Sequence, residues 1–150
     1  MSTWLVDIDG TLALMNGRSP YDWSRVGEDK PNWPVVTLVG ALLAADTDVI
    51  LVSGRMEQCR KATLDWLLNK ATLPVGLIGG LFMRADGDMR PDEIVKREIF
   101  DNQVMPLLRE SYPGRPELQK VEGVIDDRAK VVRMWRELGL TCVQVAPGEF

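Results

Sequence analysis

The sequence predicts an α/β fold, a mostly parallel five-stranded sheet with helices on both faces. Two observations carry that prediction. Short apolar runs alternate with amphipathic stretches of helical period, the pattern of repeated strand–helix–strand units. Polar clusters also follow the first, second and fourth runs, at the carboxyl ends where open α/β sheets bind their ligands.

Taken in order, Trp4-Leu5-Val6 is the first strand, apolar enough to be buried on both faces. It stops at Asp7-Ile8-Asp9-Gly10-Thr11. Residues two apart on a strand point the same way, so Asp7 and Asp9 can face one site. Gly10 permits a sharp turn, and Thr11 offers a hydroxyl beyond it. By itself this stretch is equally a solvated Asp-Gly turn. Leu14 to Pro34 reads as irregular, with turn signals in Asn16-Gly17-Arg18-Ser19-Pro20, Lys30-Pro31 and Trp33-Pro34. A loop that long in a compact domain is more often functional than idle.

Pro34 suits the first turn of a helix over Val35 to Ala45. Val49 to Val52 is the second strand, ended by Ser53-Gly54-Arg55. A helix follows over Glu57 to Lys70, with Cys59, Leu64, Leu67 and Leu68 facing the core. The third strand is Leu77-Ile78 or Leu81-Phe82-Met83, its edge blurred by Gly79-Gly80. Ala85-Asp86-Gly87-Asp88 is a loop. Pro91 begins a long helix interrupted near Pro106, and Pro113-Gly114-Arg115-Pro116 is a turn. Val121 to Ile125 is the fourth strand, ended by Asp126-Asp127-Arg128. A helix over Ala129 to Leu138 stops at Gly139, and Cys142 to Val145 is the fifth strand.

Composition narrows the function. The 150 residues suit one domain, 1–150, with a core of its own. No apolar run approaches the roughly 20 residues of a membrane span. The first residues have no basic region before an apolar one, so no secretory signal is read. Cys59 and Cys142 make neither a disulfide framework nor a zinc knuckle, which suits a reducing cytoplasm. Histidine is absent, which removes Ser-His and Cys-His nucleophile pairs and His-ligated metals. A net charge of −4 argues against sequence-blind binding along a nucleic-acid backbone, though not against binding one end of it. Trp23, Trp33, Trp66 and Trp135 are placed in the core or at an interface, so an oligomer stays open.

Three clusters then converge: Asp7 with Asp9, Ser53 with Arg55, and Asp126 with Asp127. Asp92 and Lys96, four apart on the long helix, share a face and can pair. A surface helix pair, a solvated strand end and a helix cap with a surface arginine are the plain structural alternatives for these residues. Carboxylates without histidine or thiolate form a hard oxygen site, for which Mg²⁺ is the expected cation. A hydroxyl, a lysine and arginines beside it suit a phosphoryl group. A carboxylate is then the natural nucleophile, and a second carboxylate can protonate the leaving group and activate water.

Asp-Ile-Asp-Gly-Thr, the Ser53 cluster, a later Lys and a terminal Asp-Asp resemble the four motifs of the haloacid dehalogenase (HAD) superfamily of phosphohydrolases, over nearly the whole chain. A narrower resemblance is to the 3′-phosphatase domains of phage polynucleotide kinase/phosphatases. It is carried by residues 7–11, 15–22, 52–55, 95–100, 125–128 and 131–135, and by the final Gln144 to Phe150. The resemblance implies a Rossmann-like HAD fold with a loop-type cap only. It implies that Asp7 is a nucleophile forming an aspartyl-phosphate, and that Asp9 is general acid, then base. Ser53 and Lys96 would bind phosphoryl oxygens, alongside Thr11 and Gly54. Asp7, the Asp9 carbonyl, Asp126 and Asp127 would hold Mg²⁺. Arg18 and Arg55 would grip phosphate or the nucleic-acid end, Asp92 would position Lys96 or an arginine, and Arg84 and Arg128 are further substrate-binding matches.

The implied function is removal of phosphate from 3′-phosphorylated DNA or RNA ends, and opening of 2′,3′-cyclic phosphates. A separate kinase or ligase is the implied repair partner, in the cytoplasm of the host cell if the chain is phage-encoded. The phage enzymes also carry a P-loop kinase domain. This chain lacks Gly-x-x-x-x-Gly-Lys-Ser/Thr, so no 5′-kinase activity is expected of it. The start just before the first strand is read as favouring a free-standing protein. A small-molecule or nucleotide phosphatase is the alternative with the same chemistry. A silent module binding phosphorylated ends is the alternative outside enzymes, disfavoured by the complete carboxylate set.

Overall fold

A computed structural model describes residues 2–116 and 120–150. Its main sheet has five parallel strands: β1 (Thr3–Val6), β4 (Asp48–Met56), β5 (Gly80–Arg84), β6 (Val121–Asp126) and β7 (Cys142–Gln144). Their order is β5-β4-β1-β6-β7. The chain therefore winds outward from β1 to one edge, then returns to β6 and winds to the other. That reversal puts a crevice at the carboxyl end of β1, between its two neighbours.

Alternation along β1 and β4 explains the two cores. Val6, Val49 and Leu51 point to one face, Leu5, Ile50 and Val52 to the other, and all six are buried. The first face is covered by α1 (Trp33–Ala44) and α2 (Arg60–Asn69) through Val35, Val39, Trp66 and Leu67. The second is covered by α3 (Asp92–Ile99), α4 (Met105–Ser111) and α5 (Ala129–Glu137) through Val95, Leu108, Val131 and Trp135. No helix among the described residues is long and apolar enough to cross a membrane.

Several local expectations need correction. The segment after β1 is not structureless. Ala13–Leu14 (β2) and Lys30–Pro31 (β3) pair antiparallel, and Trp23–Glu28 is a 3-10 turn that buries Val26. β4 does not end at Val52; it runs through Ser53, Gly54 and Arg55 to Met56, with an irregularity in its pairing to β5 between Ser53 and Met56. The third strand is the later of the two candidates, and residues 75–77 form a 3-10 turn. The long helix does not break at Pro106. It widens into a π turn over Phe100–Val104, in which the Met105 N–H donates to the Phe100 carbonyl. Pro106, with no N–H to offer, opens α4. Leu68 is half exposed rather than core; Trp66 fills that place. Trp66 and Trp135 are buried, whereas Trp33 is largely exposed.

Candidate active site

The three central strands each deliver one motif to the same rim. Asp7 extends the pairing of β1, its N–H donating to the Ile125 carbonyl on β6. Gly10 then turns the chain back with a φ of 81°, where an L side chain is strained. A Cβ there would also collide with the Asp127 carboxylate, so glycine is what lets the first loop close on the Asp126-Asp127 loop.

The result is a buried cluster. One carboxylate oxygen each from Asp7, Asp126 and Asp127 lies within 4.8 Å of the others. Lys96, 1% exposed on α3, reaches in with Nζ 2.7 Å from Asp7 Oδ1 and 2.9 Å from Asp126 Oδ2. Thr11 Oγ1 donates to Asp7 Oδ2 at 2.9 Å and lies 3.4 Å from Asp127 Oδ1. Trp135 Nε1 is 3.4 Å from Asp126 Oδ2. Burial, then the charge of Asp126, pushes the Asp7 carboxyl well above the ordinary aspartate value despite Lys96. The same two causes raise Asp127. Burial alone would lower the Lys96 ammonium, but Asp126, Asp7 and Asp92 outweigh it and hold it well above the ordinary lysine value. Three buried carboxylates against one ammonium leave excess negative charge. Among the described residues the ligand atoms gathered here are carboxylate oxygens, hard donors that suit a small divalent cation.

Asp9 turns away from this cluster. Its Oδ1 accepts from Arg55 Nε at 3.1 Å, Arg55 Nη2 at 2.8 Å and Arg18 Nη2 at 3.1 Å. Its Oδ2 has no hydrogen-bond partner among the described residues, and Asp9 lines a cavity of about 590 Å³ that also meets Asp7. Sequence reasoning missed the residue that holds both arginines. Asp29, 1% exposed, accepts from Arg18 Nε and Nη2, each at 2.8 Å, and from Arg55 Nη2 at 2.9 Å. Its carbonyl accepts from Trp66 Nε1 at 2.8 Å, and Arg55 Nη1 donates to Thr63 at 3.0 Å. Arg18 and Arg55 are therefore buried partners of Asp9 and Asp29, not arginines held out to solvent. No motif spacing marks Asp29; only the folded segment brings it to β4.

Ser53 is buried, and its Oγ accepts from the Arg55 N–H at 3.1 Å. A Cβ on Gly54 would collide with Asp92, so this glycine admits Asp92 to the site. Asp92 lies 3.7 Å from Lys96 Nζ and 3.0 Å from Arg84 Nη2, and Arg128 Nη1 is 3.7 Å away. Burial would raise its carboxyl, but Lys96, Arg128 and Arg84 hold it below the ordinary value. Arg84 is turned inward. It also donates to the carbonyls of Gly54, Asp88 and Arg90, bracing the loop before α3. Arg128 donates to the Phe150 carbonyl and lies over the Phe150 ring, 4.9 Å from its centroid.

A family model described as the polynucleotide kinase PNKP phosphatase domain, a HAD group, matches residues 1–150. The chain belongs to this family. The PNKP-phosphatase assignment agrees with two further likenesses. A protein of Autographa californica nuclear polyhedrosis virus, assigned as a bifunctional polynucleotide kinase/RNA ligase, is 34% identical over 141 residues, which is 93% of this chain and 18% of that protein. Two solved structures of a Pnkp1/Rnl/Hen1 complex, one titled as an RNA repair complex, contain chains 35% and 36% identical, with TM-scores of 0.83 and 0.82. Each match covers 99% of this chain, against 43% and 47% of those chains. This chain thus spans less than half of the solved relatives and under a fifth of the viral one. A D,D-heptose 1,7-bisphosphate phosphatase from B. bronchiseptica, solved with magnesium and phosphate, shares the fold at a TM-score of 0.63 and 16% identity, over 95% of this chain and 79% of its own.

Proposed function

We propose that this PNKP-type HAD phosphatase removes phosphate from the 3′ ends of DNA or RNA strands, through an aspartyl-phosphate on Asp7. One observation carries the chemistry: Lys96 bridges Asp7 and Asp126 inside a buried carboxylate cluster at the rim where three parallel strands end. Asp7, Asp126 and Asp127, with the Asp9 carbonyl, would hold Mg²⁺, which when bound supplies positive charge for the phosphoryl oxygens.

The Asp7 carboxylate attacks phosphorus in line, and the bond from phosphorus to the 3′ oxygen breaks. Asp9, acting as general acid through its free Oδ2, passes a proton to the departing 3′ oxygen. Now a carboxylate, Asp9 takes a proton from water, which attacks the same phosphorus and restores Asp7 as phosphate leaves. Arg18 and Arg55 fix Asp9 by its other oxygen throughout. Lys96 holds Asp7 in place and meets a phosphoryl oxygen, and Ser53 supplies a hydroxyl there. The resemblance supports a second use, on 2′,3′-cyclic phosphate ends, and work alongside separate kinase and ligase activities.

Phosphate release from a panel of oligonucleotides tests this reading. With Mg²⁺, 3′-phosphorylated ends are expected to be hydrolysed at least about a hundredfold faster, by kcat/KM, than 5′-phosphorylated ends or free 3′-mononucleotides. EDTA is expected to abolish release and added Mg²⁺ to restore it. Equal rates on mononucleotides would move the assignment to a small-molecule phosphatase. Full activity in EDTA would remove the cation from it.

A further inference from the structure

We propose that Tyr21 is a stacking platform for the base of the terminal nucleoside, so that the site takes an unpaired end without reading which base it carries. This rests on the 3′-end reading above and goes beyond it by naming what holds the nucleoside.

Four observations converge. Tyr21 is 74% exposed, far more than a tyrosine that serves the core, and its hydroxyl has no hydrogen-bond partner among the described residues. It lines the same cavity as Asp7 and Asp9. It is also held in place. Arg18, clamped on Asp9 and Asp29, donates Nη1 to the Ser19 carbonyl at 3.3 Å. The Ser19 carbonyl also accepts from the Asp22 N–H at 3.0 Å, and the Tyr21 N–H donates to Ser19 Oγ at 3.3 Å. The ring is thus carried on a turn tied to the group that would protonate the 3′ oxygen. Finally, a cavity of about 590 Å³ exceeds the needs of a phosphate alone.

The same cavity wall carries apolar surface that a base can lie against. Met15, Met89 and Phe150 are all well exposed and line it, alongside charged groups such as Arg90 and Lys130. Every base has a π face, so an aromatic ring binds all of them alike. A paired base is already stacked and bonded, whereas an unpaired one is free to lie on the ring.

Steady-state kinetics on single-stranded 3′-phosphorylated oligonucleotides decides it, using ends that differ only in the last base and one with an abasic last residue. The unaltered chain is expected to show a KM about tenfold lower for base-bearing than for abasic ends, the magnitude of one stacked base. The four bases should agree within about threefold. In Tyr21→Ala that base-to-abasic ratio is expected to collapse to within about twofold, and in Tyr21→Phe to persist. A structural role would raise both KM values together and leave the ratio intact, which would overturn the proposal, as would an unchanged ratio at unchanged KM. A chain that releases phosphate from no 3′ end would overturn the underlying function and the platform with it. An active chain insensitive at Tyr21 would overturn the platform alone.

Discussion

Asp7→Asn is expected to lose turnover and, in metal-free buffer at neutral pH, to be more stable than the unaltered protein. Removing the nucleophile should lower kcat by at least about 10⁴-fold. The stability gain follows from charge. Burial and the neighbouring Asp126 raise the Asp7 carboxyl above its ordinary value of 3.8. A group raised in this way contributes stability that is complete below that ordinary value and is lost as pH rises through the folded one. At neutral pH the Asp7 charge therefore opposes folding, and the amide removes it. Lys96 is not orphaned, because Asp126 and Asp92 remain. Thermal unfolding should show Tm higher by about 2–6 °C at pH 7.5, the scale of roughly 1–2 kcal/mol in a domain this size, and no difference near pH 3.5. Mg²⁺ should raise the Tm of the unaltered protein more than that of Asp7→Asn. A lower Tm for the variant at pH 7.5 would contradict this electrostatic account.

Asp29→Ala should be among the most destabilising single substitutions in the chain. Three hydrogen bonds to two buried guanidinium groups vanish together. Arg18 and Arg55 then share one oxygen of Asp9 with no second carboxylate between them. Breaking a buried ion pair from one side costs about 3–5 kcal/mol, which corresponds to a Tm lower by roughly 10 °C or more. Asp29→Asn keeps a carbonyl oxygen as acceptor and should lose less. In the fraction of Asp29→Asn that folds, kcat should fall by more than KM changes, because Asp9 is misplaced while the groups facing the phosphoryl oxygens are not. A Tm within about 2 °C of the unaltered protein for Asp29→Ala would show that the arginines do not depend on it.

The parts of the site legible in the sequence are those written locally. Asp7 and Asp9 stand at the end of an apolar strand, Asp126 and Asp127 at the end of another, and Asp92 and Lys96 one helical turn apart. Each needs only the period of its own element. Ser53 and Arg55 were legible as residues but not as structure. The apolar run stops at Val52, so the pattern ends the strand there. Yet β4 continues to Met56, because these polar groups are buried against partners from other segments. Arg55 is fully buried for the same reason, where a surface arginine was the plain alternative. Asp29 was illegible altogether. Its segment folds through Val26, the β2–β3 pair and the indole of Trp66, none of which leaves a periodic trace. Leu68 and Trp66 show the same limit on α2. Both are apolar, and only the neighbouring elements decide which one is buried.

The central claim is that phosphate passes through Asp7, and acid-quenched peptide mass spectrometry tests it most directly. The unaltered protein, mixed with Mg²⁺ and a 3′-phosphorylated oligonucleotide and quenched during turnover, should carry one phosphoryl group on the peptide containing Asp7. That peptide should be unmodified in Asp7→Asn. Turnover with no phosphorylated peptide at any quench time, or with the phosphoryl group on another residue, would contradict the account.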